Sequence, residues 1–169
     1  MTPVAHLPLY EEVSERQTAQ RRRRAREFEA FVAGAAGRLL HAATLLTAEA
    51  PGVNPHAQQL LTAALAHTYA EWDRLRGEDP YDRTRQELAA RFARSGWRHH
   101  KAHGGVLERL TPQERLILVL RLYEGVAEEQ TAALIGLPVE RVRAICTRAI
   151  ATMRSAPPAP PRAPVQAVS

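Results

Sequence analysis

Residues 110–154, LTPQERLILVLRLYEGVAEEQTAALIGLPVERVRAICTRAIATMR, decide the fold. The stretch opens on Thr111-Pro112-Gln113-Glu114, which combines an N-cap residue, a first-turn proline and a glutamate at the third helical position. Leu116, Ile117, Val119, Leu120 and Tyr123 follow at helical spacing, and Gly125 closes the segment. A short helix fits 127–135, a turn fits Gly136-Leu137, and Pro138 suits the first turn of a last helix reaching about Met153. Residues 128–148 have the pattern of a helix-turn-helix. Small Ala132 lets two helices touch, and a β-carbon at Gly136 would disfavour the turn's left-handed backbone. Val142 and Ile145 anchor the second helix on the first.

Projected along its axis, the last helix places Val139, Val142, Cys146, Ala149 and Met153 on one buried face. The opposite face centres on Ala144 and Ala151, with Arg141 and Arg148 on one flank and Arg143, Thr147 and Arg154 on the other. Small residues permit close approach while guanidinium groups reach both walls of a DNA groove. The competing reading is a plain three-helix packing unit with a solvated arginine face, and Glu140 near the exposed centre favours it.

Working upstream, Phe28, Phe31, Val32, Leu39, Leu40, Ala43 and Leu46 recur close to the helical period and predict a long core helix. Pro51-Gly52-Val53-Asn54-Pro55 breaks it. A second helix keeps Leu60, Leu61, Ala64, Leu65, Thr68, Tyr69 and Trp72 on one face, and Arg76-Gly77-Glu78-Asp79-Pro80 ends it. A third, from about Tyr81, turns Leu88, Phe92 and Ser95 or Gly96 inward. No period-two strand pattern occurs in these segments. Gly104-Gly105 separates the two helical groups, so the predicted fold is all-α: two small helical lobes, the C-terminal one a helix-turn-helix. The expected boundaries are a basic flexible N-terminal segment at 1–25, a helical domain at 26–98, a short linker at 99–107, the helix-turn-helix domain at 108–154 and a Pro-rich disordered tail at 155–169. Ser14-Glu15-Arg16-Gln17 has the spacing of a capping box for a helix through the arginine run 21–24. That run reads first as a solvated helix or tail and second as a source of nonspecific phosphate contacts.

The chain has 169 residues and a formal charge of +5. The excess is local: residues 1–26 hold six arginines against three glutamates, and 83–103 hold five arginines and Lys101 against Glu87 alone. Residues 27–82 are acidic, with three arginines against eight acids. The single cysteine forms no internal disulfide, and there is no continuous 18-residue apolar run. A reduced, cytoplasmic protein without membrane insertion is expected.

The segment 110–154 resembles the fourth-region domain of bacterial extracytoplasmic-function (ECF) sigma factors of RNA polymerase, and particularly of actinobacterial ones. Leu110, Arg115 and Leu120-Arg121-Leu122-Tyr123 match its first-helix pattern, and Val139-Glu140-Arg141-Val142-Arg143-Ala144 stands where its recognition helix starts. The resemblance implies that this helix reads the minus-thirty-five promoter element through Arg141, Arg143, Ala144, Thr147 and Arg148. The N-terminal group resembles the second-region domain through Phe28-x-x-Phe31, Arg38-Leu39-Leu40, Ala43-x-Leu45-Leu46-Thr47 and Trp72-Asp73-Arg74. Residues 91–100 then correspond to the basic, tryptophan-bearing helix that contacts the minus-ten element, with Arg91, Arg94, Trp97 and Arg98 as candidate DNA contacts. Arginines hold phosphates and an indole stacks on an unpaired base.

Two features depart from the family. Its second helix carries an acidic run on the polymerase-binding surface, whereas this chain reads His56-Ala57-Gln58-Gln59-Leu60-Leu61-Thr62-Ala63. The positions implied for core binding are Gln58, Gln59, Leu60 and Ala63, none of them acidic. The connection is also short: the nine residues 98–106 reach about 30 Å when fully extended, against roughly 70 Å between promoter elements two duplex turns apart. The implied partners are promoter DNA and RNA polymerase core, with an anti-sigma factor as a further candidate. Two alternatives stay open: a sigma-like DNA-binding regulator, or an interaction protein that titrates an anti-sigma partner, either having lost core binding. No enzyme, cofactor or metal is expected. His99, His100, His103 and Cys146 lack the spacing of a metal motif, and neither a nucleophile pattern nor a phosphate-binding glycine loop occurs.

Overall fold

Among the described residues proline opens four of the six α-helices, since the N–H it lacks at that position has no intrahelical partner anyway. The computed structural model describes residues 8–99, 101 and 103–155, without the side chains of Pro8, Leu9, Glu11 and Trp97. The helices are α1 (Pro8–Thr47), α2 (Pro55–Ala70), α3 (Pro80–Ser95), α4 (Pro112–Leu118), α5 (Glu128–Ile135) and α6 (Val139–Arg154). The described residues form no strand beyond isolated bridges, and the fold is all-α as the sequence predicts.

α1 corrects the reading of the N-terminal segment. Residues 8–25 are not a flexible leader but the first turns of a 40-residue helix. Ser14, expected at its start, lies inside it, with its carbonyl accepting from the Thr18 hydroxyl at 2.9 Å. Ala, Gln, Glu and Arg favour helix, and the i,i+4 pairs Glu12–Arg16 (3.7 Å) and Glu27–Arg23 (3.5 Å) add to it. Residues 1–7 and 156–169, which include most of the Pro-rich tail, lie outside the described residues.

By length and composition alone, α1 also passes for a membrane span, since one 18-residue window within Glu12–Thr47 has a mean hydropathy of 1.3. Its apolar side is occupied by protein: Ala35, Leu39, Ala42, Ala43 and Leu46 are buried in the core. Against them pack Leu61 and Ala64 of α2 and Leu88, Ala89 and Phe92 of α3. Where α2 meets α3, the Thr68 and Thr84 hydroxyls bond each other at 2.9 Å, so two buried polar groups satisfy one another.

In the C-terminal group, Thr111 and Glu114 form the expected capping box. α4 then widens into a π-helical turn at 119–123, in which Glu124 N–H reaches the Val119 carbonyl at 2.9 Å. The extra residue turns Leu122 outward and Glu124 inward. Gly136 has φ +70°, the left-handed turn the sequence calls for. Ile117, Ala132, Val142 and Ile145 form a small core beneath the turn.

The two helical groups follow in the expected order and share one core. A single apolar cluster joins Leu39, Leu88 and Phe92 to Leu107, Leu110, Leu116 and Leu120. Arg115, 1% exposed, sits at the seam. Its guanidinium donates to the carbonyls of Leu46 (2.9 Å), His99 (2.7 Å) and Leu110 (3.0 Å), joining α1, the connection and α4. The connection is not a free linker: Gly105 N–H donates to the Ala48 carbonyl at 3.0 Å. A β-carbon there would overlap the Ala48 backbone and come within 2.7 Å of the Glu49 carbonyl oxygen. Only glycine lets the connection lie this close to the end of α1.

Candidate nucleic-acid interface

α6 exposes the arginine-flanked face that its helical projection predicts. Val142, Ile145 and Ala149 are buried, Val139, Cys146 and Met153 are half-buried, and Arg141, Arg143, Ala144, Thr147, Arg148, Ala151 and Arg154 are exposed. Ile145 takes a central place in the buried face, which the projection had built around Cys146. Burial pushes the Cys146 thiol above its ordinary range, so it behaves as a packing residue. Two of the arginines are steadied from within the domain: Arg143 pairs with Glu128 of α5 at 2.8 Å, and Arg148 lies 3.6 Å from Glu114 of α4. Both guanidiniums stay mostly in solvent, so the pairs orient them at little energetic cost or gain.

Most of the candidate residues of the N-terminal group gather at one groove. Gln59, Leu60 and Ala63 of α2 face Arg91, Arg94 and Arg98 across one groove of about 580 Å³. Gln58 lies outside it and donates to Asn54 Oδ1 at 2.9 Å. Glu87 draws in two of the arginines, lying 2.6 Å from Arg91 and 3.7 Å from Arg94. Arg98 is exposed. Trp97 belongs to the short 3-10 turn Gly96–His99, and its side chain lies outside the described residues.

At the end of this groove, α2 is capped by a carboxylate that sequence reasoning missed. Glu49, 4% exposed, accepts from the His56 and Ala57 backbone N–H groups at 3.0 and 2.8 Å. The Thr47 hydroxyl donates to it at 2.8 Å, and His56 Nδ1 lies 2.7 Å away. Burial alone would raise the Glu49 pKa; the hydrogen bonds outweigh it and hold the carboxyl below its usual value. Asn54, the residue placed to cap α2, instead donates to the Thr44 hydroxyl at 2.7 Å. No local pattern points from Glu49 to a helix starting six residues later.

His99 is buried against Phe92, with stacked rings 5.4 Å apart, and its ring meets that of His56 at 5.9 Å. Burial, then the neighbouring His56 and Arg115, lower its pKa and keep it neutral. Among the described residues no group of three His, Cys, Asp or Glu side chains is arranged to hold a metal ion. His100 lies outside the described residues.

Residues 106–155 match the family model described as Sigma-70, region 4. Over 153 residues the chain is 27% identical to the RNA polymerase sigma-E factor of Streptomyces coelicolor, covering 76% of this chain and 84% of that protein. It is 26% identical over 153 residues to the protein of the same name from Streptomyces avermitilis, covering 76% and 83%. A third such protein, from Streptomyces antibioticus, is 26% identical over 132 residues, covering 62% of this chain and 73% of the relative.

Proposed function

We infer that this chain, whose residues 106–155 form a sigma-70 region 4 domain, is a divergent sigma-type transcription initiation factor. It binds RNA polymerase core and brings it to promoters through its helix-turn-helix. The observation that carries this reading is the coincidence of the region 4 match with a solvent-facing arginine face on α6, held by a buried opposite face. On this reading Arg141, Arg143, Ala144, Thr147 and Arg148 contact the minus-thirty-five element. Small Ala144 lets the helix sit deep while the flanking arginines take phosphates and base edges.

For the minus-ten element the reading assigns Arg91, Arg94, Trp97 and Arg98, and for polymerase core it assigns Gln58, Gln59, Leu60 and Ala63. The shared groove favours it for most of these residues: a strand held by the arginines of α3 would lie beside the surface that meets polymerase. The setting is reduced and cytoplasmic, and the protein carries out no catalysis of its own.

A second reading has specific support. α2 contains no carboxylate, and the two helical groups are closed on each other through one core. A chain that stays closed and lacks an acidic polymerase-binding face would serve as a sigma-like DNA-binding regulator or as a decoy for an anti-sigma factor. Co-purification with core polymerase separates the readings. An initiation factor is retained by core and supports promoter-dependent transcription with purified components. A regulator protects an operator without polymerase, and a decoy captures an anti-sigma partner and neither DNA nor core.

A further inference from the structure

The body of the fold covers α1 only from its third decade of residues onward. Residues 12–23 are exposed throughout, and Tyr10 is 75% exposed. At 1.5 Å per residue, positions 8–23 carry the helix about 24 Å beyond the body. Residues 16–26 of this arm contain six arginines and no carboxylate. Arg16 pairs with Glu12, Arg23 with Glu27, and Arg24 with Asp73 at 3.1 Å. Arg21, Arg22 and Arg26 have no acidic partner among the described residues.

The arm is firmly rooted. The Arg24 guanidinium donates to the Tyr69 carbonyl and lies 4.4 Å above the Tyr69 ring. Phe28 packs on Tyr69 and Trp72, at 4.8 and 5.3 Å between ring centroids. Trp72 Nε1–H points to Glu27 at 3.4 Å. The arginines on either side of Arg24 therefore stand on a helix with a fixed direction. They crowd each other, since Arg22 and Arg26 are four residues apart and Arg23 and Arg26 three, spacings at which like charges destabilise a helix. Neither burial nor pairing within the fold offsets that cost for Arg21, Arg22 and Arg26.

We propose that this arm is a sequence-independent contact for the phosphate backbone of duplex DNA. At 3.6 residues per turn, Arg21, Arg22 and Arg26 share one broad side of the helix, which suits several phosphates along a duplex backbone. Guanidinium forks match phosphate oxygens, and phosphates within a few ångströms remove the repulsion among the arginines. The choice of DNA over an acidic protein rests on the function proposed above.

The test is the salt dependence of binding by the full chain to a duplex with no promoter element, comparing the parent with the triple variant Arg21→Gln, Arg22→Gln, Arg26→Gln. Each lost phosphate contact lowers the slope of log K against log salt by about 0.9, so the variant's slope is expected to fall by about 2 to 3. Its affinity for promoter and scrambled duplexes falls by the same factor, while the triple lysine variant keeps most of the slope. Stability does not fall, because these side chains bury nothing and their replacement relieves the like-charge crowding. An unchanged slope, or a loss confined to promoter sequence, would overturn the proposal. If the slope falls as expected but core polymerase and promoter activity are absent in the parent, the arm stands and the initiation-factor reading fails.

Discussion

The Tyr81 phenol donates to both carboxylate oxygens of Glu124, at 2.9 and 3.0 Å, and so ties the first turn of α3 to the π-helical turn after α4. Glu124 is buried, and two arginines of the N-terminal group complete its surroundings, Arg38 at 3.5 Å and Arg85 at 3.7 Å. Burial, then the bond to Glu124, raises the Tyr81 pKa and keeps the phenol a donor. The seam between the helical groups thus adds to its apolar packing a buried carboxylate that faces two cations and a hydroxyl.

Replacing Glu124 by Gln removes the charge that Arg38 and Arg85 face and leaves one oxygen to accept. A loss of about 1–3 kcal/mol is expected in denaturant unfolding. Tyr81→Phe is expected to cost about 1 kcal/mol. The double variant should lose less than the two single losses together, because both remove the same bond.

Arg115→Met tests the other tie across the seam. Three buried carbonyls, of Leu46, His99 and Leu110, lose a charged donor at once. A cost of about 3–5 kcal/mol is expected, larger than for either residue of the Tyr81–Glu124 pair. Melting and small-angle scattering together check it: stability falls, and any folded fraction is more extended.

Gly105→Ala and Gly136→Ala separate two uses of glycine. At Gly136 the space is open and only the left-handed backbone is strained, so about 1–2 kcal/mol is expected, without opening of the seam. At Gly105 the added methyl overlaps the Ala48 backbone. The connection must lift away from α1, and a larger radius of gyration is the expected outcome.

Acidification should destabilise the protein. His99 has a folded pKa below its unfolded value of about 6.5, so the unfolded chain takes up the proton first and stability falls as pH drops below that value. Glu49 adds a second loss at lower pH, as it is protonated below the usual carboxylate range. Melting temperatures from about pH 7.5 to about pH 5.5 check the histidine contribution. His99→Gln is expected to flatten the dependence across that window.

Much of this was legible where the physics is local. The capping box at Thr111, the left-handed Gly136 and the exposed face of α6 follow from residue type and helical spacing alone. Arg115 was legible as a motif position but not as the buried donor between three carbonyls, since its partners come from segments distant in sequence. Glu49 and Glu124 were silent for the same reason: a carboxylate in a loop or at a helix end reads as solvated until the chain returns to cover it. The start of α1 was misread because a capping-box spacing at Ser14 says where a helix can begin and not where it must.

Run-off transcription with purified core polymerase decides whether the chain selects promoters through α6. The comparison sets a promoter selected by the parent with core polymerase from a pool randomised at the minus-thirty-five element against one with that element scrambled, for the parent and for Arg141→Gln with Arg148→Gln. Transcription by the parent from the intact promoter, little from the scrambled one, and a loss of that discrimination in the variant are expected. Equal transcription from both promoters by the parent, or none from any promoter while the chain is bound to core, would contradict promoter selection through α6.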